Sequence, residues 1–391
     1  MDNFVTIIVN HITYICFGLM WVMCFFTAWS YGKIKRVQNK KEKSNKKNTP
    51  SCTPVSIVIP SHNQAQQLYH HLPSILEQDY ELFEVIVVND GSTDETEDVL
   101  KQLELRYSNL RHTFVPGNTR HVSHKRLALT IGVKSALYEW ILFTEPSCHP
   151  DSELWIESMA KNFTPDTNIV LGSVNIEKAS AGKIQFHHTY HQLQYLSWAV
   201  NHKVYCCMPG NVAYRKSFFL NHKGFANDIH LVGGAIELLV NRNSTKKNTK
   251  IELSQAATIT DASHIGNGYR TWRTRRMYHT ETLQHLQDTK GYRFVFNIKQ
   301  YTIHLFHMSC IAALIYSAIQ EHWITSAIIF FAFLLLNSIK IILFNRSCKT
   351  INAPTFYFSF LWYEMFIIWW QIYSWFKHSQ APRNIFYRKA L

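Results

Sequence analysis

The segment from Val55 to Thr96 reads VSIVIPSHNQAQQLYHHLPSILEQDYELFEVIVVNDGSTDET. It contains two runs of mostly β-branched residues, VSIVIPS and FEVIVVN, each as long as a strand and each followed by a polar turn. Between the two runs, apolar residues recur at helical spacing. Because buried apolar strands that alternate with helices form parallel sheets covered on both faces, the segment predicts an α/β fold.

The two polar turns place candidate binding residues at one edge of this sheet. In open parallel sheets, ligands bind beyond the carboxyl ends of the strands, and both Asn63 and the turn around Asp90 fall there. Asp90 can accept hydrogen bonds from a base or a sugar, and Gly91 lets the backbone come close to a ligand. An ordinary strand-to-helix turn, capped by Asp94, explains the same residues without a ligand. The turns alone leave both interpretations open.

The first part of the chain has the composition of a membrane anchor. Phe4 to Tyr31 contains no Lys, Arg, Asp or Glu over 28 positions, enough for a helix to cross about 30 Å of hydrocarbon. A buried core helix is the alternative. Residues 33–47 then carry eight Lys or Arg and one Glu. We expect this basic run to lie against anionic membrane lipid and the residues after it to face the cytoplasm. Nucleic-acid binding, the competing interpretation of a basic run, is disfavoured beside a span.

Two apolar runs near the other end, Tyr301–Gln320 and Trp323–Phe344, predict a helical hairpin that crosses the membrane. Lys340 lies near the inner end of the second run, where we expect its ammonium group to reach the membrane surface. A third segment, Thr355–Phe376, is rich in aromatic residues and carries Glu364 near its middle. Whether it spans the membrane or lies in the interface stays open, because spanning would put a basic tail outside.

The sequence therefore predicts four parts: an anchor at residues 1–31, a basic linker at 32–51, an α/β domain at 52–290 and a membrane region at 291–391.

The order of motifs resembles that of the family 2 glycosyltransferases. Val55–Thr96 resembles the opening of their domain, and Ser123–Pro150 resembles the segment that leads to their Asp-x-Asp motif. Pro209–Phe225 is similar to their acceptor-side strand and helix, and Leu231–Arg242 occupies the place of their acidic acceptor motif. This resemblance implies a GT-A nucleotide-sugar-binding domain, with a mostly parallel sheet between helices, flanked here by N-terminal and C-terminal transmembrane helices.

The resemblance also implies a reaction and residues for it. The expected activity is transfer of a sugar, with inversion, from a nucleotide-sugar donor to a lipid-linked or polysaccharide acceptor on the cytoplasmic side of the inner membrane. Asn63, Asp90 and Lys125 match positions that meet the base, ribose or diphosphate of the donor.

The metal-binding motif of the family is altered in this chain. Family members bind Mg²⁺ or Mn²⁺ through two aspartates, because a diphosphate leaving group gathers negative charge. Here the motif reads Glu145-Pro146-Ser147, which leaves Glu145 as the predicted metal ligand beside a neutral hydroxyl. His149 is either a substitute ligand or an ordinary loop histidine. The sequence thus predicts a weakened metal site.

The position of the catalytic base is altered as well. The motif GGAIELL aligns the expected base with Ala235, which cannot take a proton, and a later acid with Glu237. A local shift would leave Glu237 as the base. Two residues along a helix turn a side chain by about 200°, however, which favours a carboxylate that only stabilises the helix start.

A third family motif corresponds to Tyr269–His279, YRTWRTRRMYH. Trp272 is kept on the acceptor side, while Arg275 and Tyr278 replace the glutamine and the arginine of the family. Arg275 and Arg276 are candidates to bind the donor diphosphate in place of a metal, because guanidinium groups bind phosphate oxygens well. A basic interfacial helix on lipid headgroups is the alternative.

Two functional hypotheses follow. The chain is either a membrane-bound glycosyltransferase or a catalytically silent relative that works with other polysaccharide-assembly proteins at the cell surface. Loss of acid groups at both the metal and the base positions favours the second hypothesis, and the resemblance to a family that consists overwhelmingly of enzymes favours the first. A synthase that threads polymer through its own helices would need more spans than this sequence offers.

Overall fold

The computed structural model describes residues 18, 19, 22, 23, 25, 31, 32, 34, 53–115, 123–263 and 268–386. The predicted N-terminal anchor and basic linker lie almost entirely outside these residues.

Within the described residues, the strands in chain order are β1 (Val55–Ser61), β2 (Phe83–Asn89), β3 (Leu110–Phe114), β4 (Trp140–Phe143), β5 (Cys148–Pro150), β6 (Ile169–Leu171), β7 (Val174–Ile176), β8 (Val212–Arg215), β9 (Thr249–Ile251) and β10 (Ile259–Asp261). The α-helices of the same residues are α1 (Ala65–Leu76), α2 (Thr96–Arg106), α3 (His124–Ser135), α4 (Trp155–Ala160), α5 (Gly182–Ala199), α6 (Lys216–Asn221), α7 (Ala235–Asn243), α8 (Gly268–His285), α9 (Lys290–Ile319), α10 (Trp323–Thr350) and α11 (Ser359–Gln380).

The main sheet has the strand order β3-β2-β1-β4-β8-β6-β9. Its first four strands run parallel, β8 runs antiparallel to both neighbours, and β9 is parallel to β6. Ser61 pairs with Asn89, so β1 and β2 end level with each other. A smaller sheet, β5-β10-β7, lies beyond β4 in the chain. The predicted mostly parallel α/β fold is confirmed, and the two polar turns meet at one edge.

Helices cover both faces of the sheet because its strands are apolar on both. Ile57 and Ile59 pack in one cluster with residues of α1 and α2, such as Leu72. Val58, between them in sequence, packs in a second cluster with residues of α3. Gly132 of α3 lets this helix approach closely, since a Cβ atom there would lie 2.3 Å from Cγ1 of Val58.

Two of the described helices, α9 and α10, are long and apolar enough to cross a membrane by length and composition. The predicted hairpin is present, but α9 begins before Tyr301 and α10 continues beyond Phe344. The expectation that Lys340 reaches the membrane surface is wrong. Lys340 is 2% exposed, and its ammonium group pairs with the buried carboxylate of Glu364 on α11. An ion pair between two helices replaces contact with the headgroups.

Candidate active site

The turns after β1 and β2 interlock. The Oδ1 atom of Asn63 accepts a hydrogen bond from the backbone N–H of Thr93 at 2.8 Å. Asn63 holds a left-handed backbone conformation, with φ of 52°, which an asparagine tolerates better than most residues. The Asp94 carboxylate accepts hydrogen bonds from the backbone N–H groups of Ala65 and Thr96, both at 3.1 Å. Asp94 therefore joins the starts of α1 and α2, as the capping interpretation predicted.

Asp90 is fixed by two histidines. Its side chain is 11% exposed, and Oδ1 lies 2.8 Å from Nδ1 of His124. The Nδ1 atom of His62 lies 2.7 Å from the carbonyl oxygen of Asp90 and donates to it. His124 is the first residue of α3, so the helix that covers the sheet also orients the predicted nucleotide-binding carboxylate. The sequence did not single out His124.

Lys125, the next residue of α3, pairs with Glu145. Its Nζ atom lies 2.7 Å from Oε1 of Glu145, which follows β4. Lys125 and then Arg275 lower the pKa of Glu145 below its ordinary value, although burial acts in the opposite direction. Burial acts to lower the pKa of Lys125, but the Glu145 carboxylate outweighs it and the pKa is raised. Both groups therefore stay charged at neutral pH.

A second carboxylate, Asp261 at the end of β10, lies beside the altered metal motif. Its Oδ1 accepts a hydrogen bond from Oγ of Ser147 at 2.8 Å. Its Oδ2 lies 2.7 Å from Nη1 of Arg275, and Nη2 of the same guanidinium lies 3.8 Å from Oε2 of Glu145. Arg275 thus bridges two carboxylates that are far apart in sequence. Nothing local marks Asp261 in the sequence, because the pairing of β10 with β5 and β7 brings it here.

These groups line a cavity of about 340 Å³. Six of the eight predicted site residues contribute to its wall: Lys125, Glu145, Glu237, Trp272, Arg275 and Arg276. The other two, Asn63 and Asp90, lie in the adjacent turns, which His124 connects to Lys125 along α3. The two arginines separate within the cavity. Arg275 joins the carboxylates, while Arg276 lies among histidines of α5 and α8. Burial lowers the pKa of each of these histidines, and Arg276 lowers it further.

Glu237 faces the cavity from the first turn of α7. This helix begins at Ala235, after Gly234 with φ of 70°, and both Ala235 and Glu237 line the cavity. The expected rotation away from the site does not remove Glu237, because the start of the helix points at the cavity. Burial raises the pKa of its carboxyl group. The preceding loop is held by Arg126, which donates from Nε to the Leu231 carbonyl at 3.0 Å.

Residues 56–222 match the model of glycosyl transferase family 2. The resemblance to this family is confirmed over these residues. It is similar to the poly-beta-1,6-N-acetyl-D-glucosamine synthase of Staphylococcus epidermidis, with 28% identity over 136 residues, 34% of this chain and 31% of the relative. The synthase of the same name from Staphylococcus aureus strain COL is 23% identical over 172 residues, 43% of this chain and 40% of that one. The matches span well under half the length of these relatives.

A solved structure supports the GT-A fold of this chain. The mannosyltransferase PcManGT from Pyrobaculum calidifontis, in complex with GDP-Man and Mn²⁺, aligns with a TM-score of 0.52 and 16% identity. The alignment covers 91% of this chain and 99% of the mannosyltransferase. At this identity the likeness concerns the fold.

The side chains around Glu145 and Asp261 do not fit a divalent cation as they are arranged. Oε1 of Glu145 and Oδ2 of Asp261 each lie 2.7 Å from a cationic side chain, and Oδ1 of Asp261 accepts from Ser147. A metal ion would have to displace Lys125 or Arg275 from them. Across the described ranges, His, Cys, Asp and Glu side chains form no group of three or more that could hold a metal ion.

Proposed function

We propose that this chain transfers a sugar from a nucleotide-sugar donor to a lipid-linked or polysaccharide acceptor, with two side-chain cations where the family uses a metal ion. One observation carries the proposal: Arg275 bridges Glu145 and Asp261 inside the cavity, and Lys125 completes the group. The charges explain why this arrangement is suitable. Two carboxylates with two monovalent cations have the same net charge as two carboxylates with one divalent cation.

In this proposal the donor lies along the carboxyl edge of the sheet. Asn63 and Asp90 bind the base and ribose at the interlocked turns. The diphosphate extends toward Lys125 and Arg275, which exchange their carboxylate partners for phosphate oxygens as negative charge develops on the leaving group. Arginine suits this task, because its planar guanidinium binds two oxygens at once and stays charged when buried.

Glu237 is the proposed base. It removes the proton from the acceptor hydroxyl, whose oxygen attacks the anomeric carbon as the bond to the diphosphate breaks, so the configuration inverts. A carboxylate with a raised pKa suits proton abstraction near neutral pH. Trp272, which is largely buried in the cavity wall, offers an aromatic surface to the acceptor.

We further propose that the domain at residues 52–290 works at the cytoplasmic face of the inner membrane. The two apolar helices α9 and α10 support membrane association. The anchor at 1–31, the linker at 32–51 and the membrane region at 291–391 stay predictions, as does the place of α11 across or along the membrane.

Release of nucleoside diphosphate tests the proposal. Full-length protein in detergent is incubated with UDP-sugars or GDP-mannose and a membrane extract, with and without EDTA. We expect diphosphate release from one donor, undiminished by EDTA. Absence of release from every donor, in protein shown to be folded, would contradict the transferase.

Ala235 at the expected base position favours a second candidate, a silent partner in polysaccharide assembly. Cellular complementation separates the two functions. Glu237→Gln should abolish complementation by an enzyme and leave that by a silent partner intact.

A further inference from the structure

A second group of side chains lines the same cavity and takes no part in the reaction proposed above. It consists of His187 and His191 on α5 and Arg276 and His279 on α8. We call it the histidine–arginine cluster. The rings of His187 and His191 lie 4.4 Å apart between centroids, as expected for residues one helical turn apart.

Several polar atoms of the cluster are buried without a partner. His187 is 3% exposed and His191 is 5% exposed. Nε2 of His187, both ring nitrogens of His191 and Nε of Arg276 have no hydrogen-bond partner in the part of the chain that the structure describes. Buried polar atoms in folded proteins are almost always paired, because leaving them unpaired is costly. Donors that face a cavity in this state indicate a ligand.

The electrostatic surroundings favour an anion. Burial lowers the pKa of both His187 and His191, and the positive charges of Arg276 and neighbouring histidines lower it further. Burial lowers the pKa of Arg276. Within the described ranges, Arg276 forms no ion pair with a carboxylate. A buried guanidinium with imidazole N–H donors around it suits phosphate oxygens.

The walls around the cluster are aromatic and come from α8, α9 and α11. The ring of Trp272 lies 5.5 Å from that of His187, and the ring of Trp370 on α11 lies 5.9 Å from it. The ring of Phe296 on α9 lies 5.9 Å from that of His191. Since α9 is long and apolar enough to cross a membrane, an anion bound here would have an apolar neighbourhood for the group that it carries.

We infer that the histidine–arginine cluster binds the phosphate group of a lipid phosphate that carries the acceptor. Arg276 pairs with the phosphate oxygens, His187 and His191 donate N–H bonds to them, and the lipid chain leaves past the aromatic wall. The acceptor role rests on the proposed function, whereas the binding of a lipid phosphate does not. Arg276 then binds on the acceptor side and not in the donor site, to which the sequence assigned it.

Calorimetry on the full-length protein in an uncharged detergent tests the inference with three probes: farnesyl phosphate, farnesol and inorganic phosphate. We expect farnesyl phosphate to bind at least about tenfold more tightly than either of the others, because charged hydrogen bonds and apolar contacts act together. Equal binding of farnesol would exclude a phosphate site. Equal binding of inorganic phosphate would assign the cluster to a free anion and overturn the lipid part.

Variants locate the site. Arg276→Gln and His191→Phe should each weaken farnesyl phosphate binding about tenfold or more and leave nucleotide binding unchanged. Arg273→Gln, an exposed neighbour on α8, is the matched control and should change neither. If Arg276→Gln weakens nucleotide binding instead, Arg276 belongs to the donor site and the inference fails.

Asp90→Ala separates this inference from the transferase proposal. It should remove nucleotide binding and keep farnesyl phosphate binding. Wild-type protein that binds farnesyl phosphate but no nucleotide would retain the cluster as a lipid-phosphate site and refute the transferase.

Discussion

The guanidinium of Arg275 lies 2.7 Å from the carboxylate of Asp261, a residue that the altered metal motif gives no reason to expect. The same guanidinium reaches Glu145, so a side chain from α8 joins the end of β10 to the loop after β4. Two carboxylates meet beside the altered motif, but one of them comes from a distant strand and a cation of the protein lies between them.

Asp90 should be essential for nucleotide binding. Asp90→Ala removes the carboxylate that His124 orients, and we expect nucleotide affinity to fall by at least tenfold, since hydrogen bonds of charged groups contribute about 1.5–3 kcal/mol. Calorimetric titration with UDP and GDP measures the change. Asp166→Ala, at an exposed loop position, is the control. Unchanged binding in Asp90→Ala would remove the pocket from this edge of the sheet.

Glu237 should give the activity an acid limb. Burial raises the pKa of Glu237 above the ordinary value of 4.5. As the pH is lowered from neutral, the carboxylate therefore takes up a proton before pH 4.5 is reached, and kcat/KM should already decline at that higher pH. Glu237→Gln should lose turnover across the whole range while donor binding persists. A profile that stays flat down to pH 4.5 would argue against this base.

The same carboxyl group should lower stability at neutral pH. A group whose pKa is raised in the folded state binds more protons there than in the unfolded state. The free energy of unfolding therefore falls as the pH rises from the pKa of the unfolded state through that of the folded state. Glu237→Gln removes this cost, and its Tm should exceed that of the wild type at pH 7 and converge with it below pH 4.5. Thermal unfolding at several pH values measures the difference. A lower Tm at pH 7 would show that Glu237 holds the fold.

Gly132 should tolerate no side chain. A Cβ atom at this position would lie 2.3 Å from Cγ1 of Val58 and 3.2 Å from Cγ2 of Val88. Overpacking of this kind costs about 1–3 kcal/mol, more than the gain of about 1 kcal/mol in helix propensity, so Gly132→Ala should lower Tm. Gly291→Ala is the control, because its Cβ would meet Trp198 at an ordinary 3.6 Å.

Lys340 and Glu364 should be energetically coupled. Lys340→Met leaves a buried carboxylate without its partner, which costs about 3–5 kcal/mol for buried pairs. The double variant with Glu364→Met should recover most of the lost thermal stability, because an apolar pair of similar volume packs in the same place. If the stability lost in the double variant equals the sum of the losses in the two single variants, the pair does not fix α11 to α10.

The sequence predicts the sheet well because its information is local. The apolar strands β1 and β2, their polar turns and the helical spacing between them are each visible in a few residues. The site was only partly predictable, since Asp261, His124 and His187 become neighbours of predicted residues through strand pairing and helix packing. The partner of Lys340 was missed for the same reason, because the contact between α10 and α11 has no signature in either segment.

Titration of UDP and GDP, with and without Mn²⁺, tests the central claim that Arg275 and Lys125 replace the metal. Wild-type affinity should change by less than about tenfold, or about 1.4 kcal/mol, when Mn²⁺ is added. Arg275→Ala should bind nucleotide weakly alone and regain affinity with Mn²⁺, because a guanidinium no longer lies between Oδ2 of Asp261 and Oε2 of Glu145. Arg273→Gln should behave as the wild type. Wild-type binding that requires Mn²⁺ would contradict the account.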